Sequence, residues 1–254
     1  MQLSFSTFLI VCPLVFLAGF VDAIAGGGGI ISLPAFLIAG LPVHNALGTN
    51  KLAAAFGATV SAVRYGKQGY IRYKQVLPAV LLAFAGSSLG SKCALLISDR
   101  VFKYVMLAVV PLTAAFLLFR KKIFDEKEPF DVKKTVLISC AASLCVGFYD
   151  GIYGPGTGTF LILLFTGAAH MKLTEANGAA KAINLTTNLA ALAVYLFNGV
   201  VLYPLGLAAG AFNLLGSYLG TKCFDKGGSK IVRPVMLCVL AAFFVKIITE
   251  LISG

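Results

Sequence analysis

Long apolar segments follow one another along almost the whole chain, and short polar segments separate them. Several reach the roughly 20 residues that a helix needs to cross a bilayer. The pattern therefore predicts an all-α polytopic membrane protein. The apolar segments are residues 7–25, 28–41, 46–63, 76–96, 101–119, 135–152, 157–170, 178–197, 200–221 and 231–251.

The second half of the sequence repeats the first at an offset of 128 to 130 residues. The motif GFVD at 19–22 returns as GFYD at 147–150, and GSSLGSKC at 86–93 returns as GSYLGTKC at 216–223. Internal duplication is typical of secondary transporters, whose binding site lies between the repeats.

The repeat divides the chain into three parts. We expect a first transmembrane repeat at 1–119 and a second at 135–254, which are called the first and second halves below. The charged segment between them, residues 120–134, is expected to be a cytoplasmic linker.

The distribution of Lys and Arg favours halves of opposite orientation. Residues 64–74 carry four basic side chains, and the matching segment 196–204 carries none. Cytoplasmic loops collect Lys and Arg. Inverted halves place fourteen of the counted loop residues inside and three outside, whereas parallel halves place ten inside and seven outside. We therefore predict two inverted repeats.

Two apolar segments are too short to span a membrane. Residues 28–40 and 157–169 would each form a helix of about 20 Å, against a hydrocarbon core of about 30 Å. We predict that 7–40 and 135–170 are helical hairpins broken at their glycines. Each hairpin is followed by three spanning helices.

Composition excludes the main alternative classes. Of all residues 59% are hydrophobic and 12% are charged, whereas soluble domains contain about 25% charged residues. The net charge of +11 resides in short loops, which indicates membrane topology and no nucleic acid. The six cysteines form no CxxC motif, so we expect no metal site and no cofactor.

Glycine clusters interrupt both predicted hairpins, as AGGGG at 25–29 and GPGTG at 154–158. Non-helical backbone at membrane depth is tolerated where it lines a cavity or is buried in protein. Helices predicted to begin at Ile30 and Phe160 would direct their N-termini, which attract anions, towards each other. Tight packing alone is the alternative, and we assign that role to GSSLG (86–90) and GSYLG (216–220). The candidate anion-binding glycines are Gly26, Gly27, Gly28, Gly29, Gly154, Gly156 and Gly158.

Asp22 and Asp150 occupy matched positions immediately before the glycine clusters. An ionisable residue inside a membrane span is a functional candidate by default. Both aspartates are candidates for carrying protons coupled to transport, or for binding a cation. The alternative is that each caps backbone N–H groups at the break.

A polar stripe follows the second hairpin. Asn177, Lys181, Asn184 and Asn188 lie on one helical face, which Tyr195 continues. Such a face must point into the bundle. The matched face of the first half contains Leu47, Lys51, Ala54, Ala58 and Tyr65.

These two faces supply the remaining candidate residues for substrate binding. Lys51 and Lys181 would balance an anionic charge, while Asn184 and Asn188 would donate amide hydrogens. The alternative is that both lysines extend to a membrane interface. His44 and His170 are interpreted as loop residues.

The segments GFVDAIAGGGGIISLP…ALGTNK and GFYDGIYGPGTG…GAAK resemble the TauE/SafE sulfite exporter family. The resemblance covers nearly the whole chain. It implies a bacterial or plant-type permease for sulfite, sulfonates such as sulfoacetate, or related organic anions. It extends to Asp22 with the first glycine cluster and to Asp150 with the second, where Pro155 and Thr157 replace glycines.

Together these features predict a secondary transporter of a small anion, such as sulfite, a sulfonate or a related organic anion, working by alternating access in the bacterial inner membrane. Its partners would be the anion and the lipid bilayer. An anion channel of the same architecture is an alternative. An intramembrane enzyme would need Ser87 or Ser88 to lie beside His44, so we expect no enzyme.

Overall fold

The computed structural model describes residues 3–102, 104–106, 108–109, 112, 128–224 and 249. In these residues the chain is helical, without strands. Residues 99–102, 104–106, 108–109 and 112 are helical as well. The helices with defined bounds are α1 (Phe5–Ala25), α2 (Gly29–Ile38), α3 (Val43–Lys67), α4 (Tyr73–Leu96), α5 (Val132–Ile152), α6 (Thr157–Gly167), α7 (Leu173–Phe197) and α8 (Tyr203–Phe224).

Four of the described helices, α1, α4, α5 and α7, are long and apolar enough to cross a membrane. Helices α2 and α6 have only 10 and 11 residues, or roughly 16 Å. The prediction of two short helices after the glycine clusters is therefore confirmed. The linker up to residue 127 and the apolar segment 231–251 lie outside the described residues, apart from residue 249.

Glycines in the left-handed region end the first helix of each hairpin. Gly26 has φ of +74° and the matched Gly154 has φ of +91°, a conformation that glycine adopts without steric penalty. The predicted start at Phe160 was wrong, because α6 already begins at Thr157. There the left-handed Gly156 precedes the helix, and the Thr157 hydroxyl donates to the Gly154 carbonyl at 2.7 Å. Helix α2 begins at Gly29, one residue before the predicted Ile30.

Glycine contacts join the outer helices of the two halves. A Cβ atom on Gly86 or Gly90 of α4 would overlap the backbone of α5. A Cβ atom on Gly216 or Gly220 of α8 would likewise overlap the backbone of α1. The packing role predicted for both GxxxG motifs is thus confirmed, and each half packs its last described long helix on the first helix of the other.

The matched helices α3 and α7 pack in opposite directions. Gly48, near the start of α3, lies against Tyr195, near the end of α7. Conversely, Gly178, near the start of α7, lies against the Tyr70 backbone just beyond the end of α3. The two helices are therefore antiparallel to each other.

The short helices are buried inside the bundle. Ile31, Leu33 and Phe36 of α2 are fully buried in one apolar cluster, and Leu161 and Phe165 of α6 are fully buried in a second. A helix that is apolar on all sides lies in a protein core or spans a membrane, and these two helices are too short to span one. Burial of α2 and α6 brings their N-terminal tips to the interior of the molecule.

Candidate functional site

A cavity lies where the tips of α2 and α6 meet, and it is lined by α1, α3, α5, α7 and α8 as well. Its volume is about 40 Å³, room for about three water molecules. Of the predicted site residues, Gly27 and Lys181 are not among those that line it. The predicted residues that do are Asp22, Gly26, Gly28, Gly29, Lys51, Asp150, Gly154, Gly156, Gly158, Asn184 and Asn188.

The two glycine tips are in direct backbone contact. The Thr159 N–H donates to the Gly26 carbonyl at 2.6 Å, and the Thr159 hydroxyl donates to the Ala25 carbonyl at 3.0 Å. A Cβ atom on Gly158 would lie 2.6 Å from the Gly26 oxygen. Glycine is therefore required here because two backbones meet.

The helix tips also present backbone donors. The amides of Gly28 and Thr157 are engaged, by the Asp22 carboxylate at 3.2 Å and by the Gly154 carbonyl at 3.1 Å. Within the described residues, the N–H groups of Gly29 and Gly158 have no hydrogen-bond partner. Each half thus contributes one unpaired first-turn amide from a residue that lines the cavity.

Two ion pairs inside the bundle connect the halves. Lys51 Nζ lies 2.6 Å from Asp150 Oδ2, and Lys181 Nζ lies 3.3 Å from Asp22 Oδ2. Lys181 also donates to the Asp22 backbone carbonyl. Each lysine therefore pairs with the aspartate of the other half.

Burial decides between the alternatives for the lysines. Lys51 is 2% exposed and Lys181 is 1% exposed, so the interpretation that they extend to an interface was wrong. Both instead provide positive charge inside the bundle, where an unpaired charge would be costly.

Of the two aspartates, only Asp22 caps a backbone N–H group at its glycine break, as the alternative interpretation expected. Asp22 Oδ1 accepts from the Gly28 N–H, whereas Asp150 Oδ1 accepts from the Thr157 hydroxyl at 2.7 Å. Because both carboxylates also pair with lysine, capping accounts for only part of their contacts.

The polar stripe of α7 points inward as predicted. Asn177, Lys181, Asn184 and Asn188 are all buried. Asn184 Nδ2 donates to Asp22 Oδ2 at 3.4 Å, and Asn188 Nδ2 donates to the Asn184 carbonyl at 2.7 Å. Asn184 and Asn188 line the cavity, and Lys181 and Asn184 hold the Asp22 carboxylate.

The matched tyrosines brace the breaks within their own halves. Tyr65 donates to the Ala23 carbonyl at 2.9 Å, and Tyr195 donates to the Gly151 carbonyl at 3.1 Å. Ala23 and Gly151 each directly follow one of the site aspartates. Each tyrosine therefore satisfies a carbonyl beside a glycine break.

Several polar residues that line the cavity were missed in the sequence. Ser32, Asn50, Thr157 and Asn213 all contribute to its wall. Asn50 is 6% exposed, and its Oδ1 has no partner among the described residues. The signal for Asn213 was present, because it is a single amide in the otherwise apolar and small-residue helix α8.

The elements of an enzyme do not come together. His44 lies beside Asp99, with 3.1 Å between Nδ1 and Oδ1, and its Nε2 contacts the Ala94 carbonyl. Ser87 donates instead to the Thr187 carbonyl at 2.7 Å. His170 stacks on Phe130 in a loop. Among the described residues, no group of His, Cys, Asp and Glu side chains could hold a metal ion.

Comparison with known proteins gives consistent matches along the chain. The model of the family Sulfite exporter TauE/SafE matches residues 11–247. The "Probable membrane transporter protein ORF9" of Sinorhizobium sp is 34% identical over 98% of this chain and 95% of the relative. No solved structure matches the chain.

Other curated relatives have similar names. A "Probable membrane transporter protein" of Haemophilus influenzae is 34% identical over 87% of both chains. The "Probable membrane transporter protein YfcA" of Escherichia coli K12 is 28% identical over 97% of this chain and 94% of the relative. These names agree with the expectation of a transporter and not an enzyme.

Proposed function

Because the chain belongs to the sulfite exporter TauE/SafE family of membrane transporters, we propose that it moves a small oxyanion by alternating access. The substrate is sulfite, a sulfonate or a related organic anion. In this proposal the anion binds in the cavity between the glycine tips, and the protein works in the bacterial inner membrane.

The observation that carries the proposal is the chemistry of the cavity wall. It combines the unpaired N–H groups of Gly29 and Gly158 with the amides of Asn184 and Asn188 and the ammonium group of Lys51. Such donors suit an oxyanion, since helix N-termini and lysine both stabilise negative charge. Lys181 does not line the cavity, but its ammonium group pairs with Asp22, which does.

Cavity size favours a compact substrate. A volume of about 40 Å³ accommodates about three water molecules, which is close to the size of sulfite with its four non-hydrogen atoms. Sulfoacetate is larger and would require the cavity to widen. We therefore propose sulfite as the first substrate to test.

Alternating access is supported by the arrangement of the halves. We infer two inverted repeats, because the matched helices α3 and α7 are antiparallel and the loop charges favour opposite orientations. The cavity lies between the halves, as in other transporters of inverted repeats. Rocking one half against the other would expose it to each side in turn.

Flux measurements in proteoliposomes test the proposed function. We expect saturable exchange of radiolabelled sulfite, with weaker competition by sulfate, phosphate and acetate. Exchange that is accelerated by sulfite on the opposite side indicates a carrier, whereas flux without such counter-transport indicates the channel alternative. Absence of sulfite and sulfoacetate flux from correctly folded protein would contradict the proposed substrate class.

A pair of matched positions tests the inverted orientation. Gln68 and Asn198 follow the ends of α3 and α7 and are both exposed. We expect Gln68→Cys and Asn198→Cys, each made in a background without native cysteines, to react with an impermeant maleimide from opposite sides of the membrane. Reaction from the same side would show parallel halves.

A further inference from the structure

The two ion pairs differ although the sequence repeat relates them. In the Lys51–Asp150 pair, the side chains of both partners are 3% exposed and the charged atoms are 2.6 Å apart. In the Lys181–Asp22 pair, the distance is 3.3 Å and the Asp22 side chain is 17% exposed. Asp22 is therefore the more accessible carboxylate and the more loosely held by its lysine.

Hydrogen bonds to the carboxylates differ in the same sense. Asp150 accepts a 2.7 Å bond from the Thr157 hydroxyl. Asp22 accepts 3.2 Å and 3.4 Å bonds from the Gly28 and Asn184 nitrogens. Short bonds to a charged carboxylate stabilise it more than long ones. Asp150 is thus the carboxylate with the shorter contacts to its partners.

One chain of polar contacts reaches the backbone beside Asp22. The Asn177 amide donates to the Tyr65 hydroxyl at 3.3 Å, and Tyr65 in turn contacts the residue after Asp22. Within the described residues, Asn177 Oδ1 is buried without a hydrogen-bond partner, as are Asn50 Oδ1 and the hydroxyls of Ser61 and Ser143. Buried polar atoms of this kind are sites for a passing water molecule.

The positions that match Asn177 and Ser61 in the repeat are apolar. Leu47 occupies the position in the first half that matches Asn177, and Ala191 occupies the position in the second half that matches Ser61. Both are buried in the apolar core. The polar contact that runs from Asn177 through Tyr65 to the backbone beside Asp22 therefore has no counterpart at the matched Leu47.

The charges at the cavity add a second constraint. Lys51 and Lys181 carry two positive charges, and Asp22 and Asp150 carry two negative charges, so the empty site is neutral. A monovalent anion that entered alone would leave one buried charge unbalanced, which is strongly unfavourable. One proton taken up with the anion keeps the loaded site neutral.

We propose that Asp22 takes up one proton with each monovalent anion, while Lys51 and Asp150 remain paired through the cycle. This inference rests on the proposed function. The proton comes from water and protonates the Asp22 carboxylate. Lys181 then loses its charged partner and turns to the anion. Transport is consequently electroneutral, and a pH gradient drives it.

Other titratable groups around Asp22 are few. Lys181 of α7, Lys51 and Tyr65 of α3 and Asp150 of α5 lie at the site. Helices α2 and α6 have no ionisable side chain. Helix α8 contributes the uncharged Asn213 to the cavity, while its Tyr218 and Lys222 contact each other and Tyr218 contacts Arg64.

The test measures sulfite accumulation in proteoliposomes at mildly acidic pH, where sulfite is mostly the hydrogen sulfite monoanion. For the wild-type protein we expect about tenfold accumulation per unit of pH gradient. We expect no response to a membrane potential set with potassium and valinomycin. Accumulation driven by the potential instead would overturn the inference.

The variant Asp22→Asn provides the decisive comparison. It leaves the empty site with one positive charge, so that loading an anion neutralises it. We expect this variant to lose accumulation driven by the pH gradient and to gain accumulation driven by a positive interior potential. Asp22→Glu, which restores a carboxylate, should recover the response to the pH gradient.

Matched variants assign the coupling to one aspartate. In the double variant Lys51→Met with Asp150→Asn the empty site stays neutral and keeps Asp22, so we expect the response to the pH gradient to persist. The same loss as in Asp22→Asn would overturn the assignment. Should the double variant not fold, Asn177→Leu serves instead, with slower accumulation relative to exchange. Absence of sulfite exchange in the wild type contradicts the proposed function, whereas exchange with unchanged coupling in Asp22→Asn contradicts this inference alone.

Discussion

Removing the charge of Lys51 should destabilise the protein through its buried partner. Lys51→Met retains a long side chain but leaves the Asp150 carboxylate without its cation. Because both side chains of the pair are only 3% exposed, little water reaches the remaining charge. Breaking such a pair typically costs about 3–5 kcal/mol of unfolding free energy, and we expect a loss in this range.

The matched lysine provides the control. Lys181→Met leaves the Asp22 side chain 17% exposed and in contact with the Gly28 and Asn184 nitrogens. We therefore expect a smaller loss of stability than for Lys51→Met. The difference between the stability losses of the two variants excludes the general effect of replacing a buried lysine.

The double variant Lys51→Met with Asp150→Asn isolates the pair. The asparagine introduced there still accepts a hydrogen bond from Thr157, and this pair leaves no charge behind. Replacement of both partners of a buried ion pair is often close to neutral, so we expect recovery of most of the lost stability.

Unfolding in mixed detergent micelles, titrated with sodium dodecyl sulfate, measures these differences. Helical circular dichroism is the suitable signal, because the chain contains no tryptophan. A coupling energy close to zero in the double-mutant cycle would refute the reasoning, since the losses of the single variants would then simply add.

Two glycine substitutions give further predictions. Gly158→Ala places a Cβ atom 2.6 Å from the Gly26 oxygen, so we expect abolished sulfite exchange and a stability loss of about 1–3 kcal/mol. Gly167→Ala in the same helix meets no atom within 4 Å and should retain wild-type exchange; equal losses in both variants would contradict the contact between the tips. In Gly90→Ala the new Cβ atom overlaps the Phe148 backbone and should separate α4 from α5. We expect a stability loss at least as large as that of Gly158→Ala in the titration with sodium dodecyl sulfate, and an unchanged midpoint would contradict this packing.

Local features of the sequence predicted much of the fold. The short helices follow from glycine clusters beside short apolar segments, and the inward face of α7 follows from the spacing of Asn177, Lys181, Asn184 and Asn188. Both depend on periodicity and on residue preferences along a single segment. The exact start of α6 depended on side-chain bonds of Thr157, which spacing does not reveal.

Contacts between the halves were beyond such reasoning. The repeat showed that each half has one lysine and one aspartate, but it allows pairing within a half as well as between halves. Docking of the halves selects the pairs Lys51–Asp150 and Asp22–Lys181. Asn50 was missed for a related reason, because it lies outside the polar face chosen on α3 and reaches the cavity only through the packing of that helix.

The exchange of partners between the halves also constrains the order of assembly during synthesis. Lys51 and Asp150 are 99 residues apart, and Asp22 and Lys181 are 159 residues apart. When the first half has entered the membrane, both of its buried ionisable groups still await partners that the ribosome has yet to make. Contacts of such long range form late, after the local helices. The ion pairs of the folded protein therefore form only when the two halves close on each other, and a chain that stops after the first half lacks both of these partners.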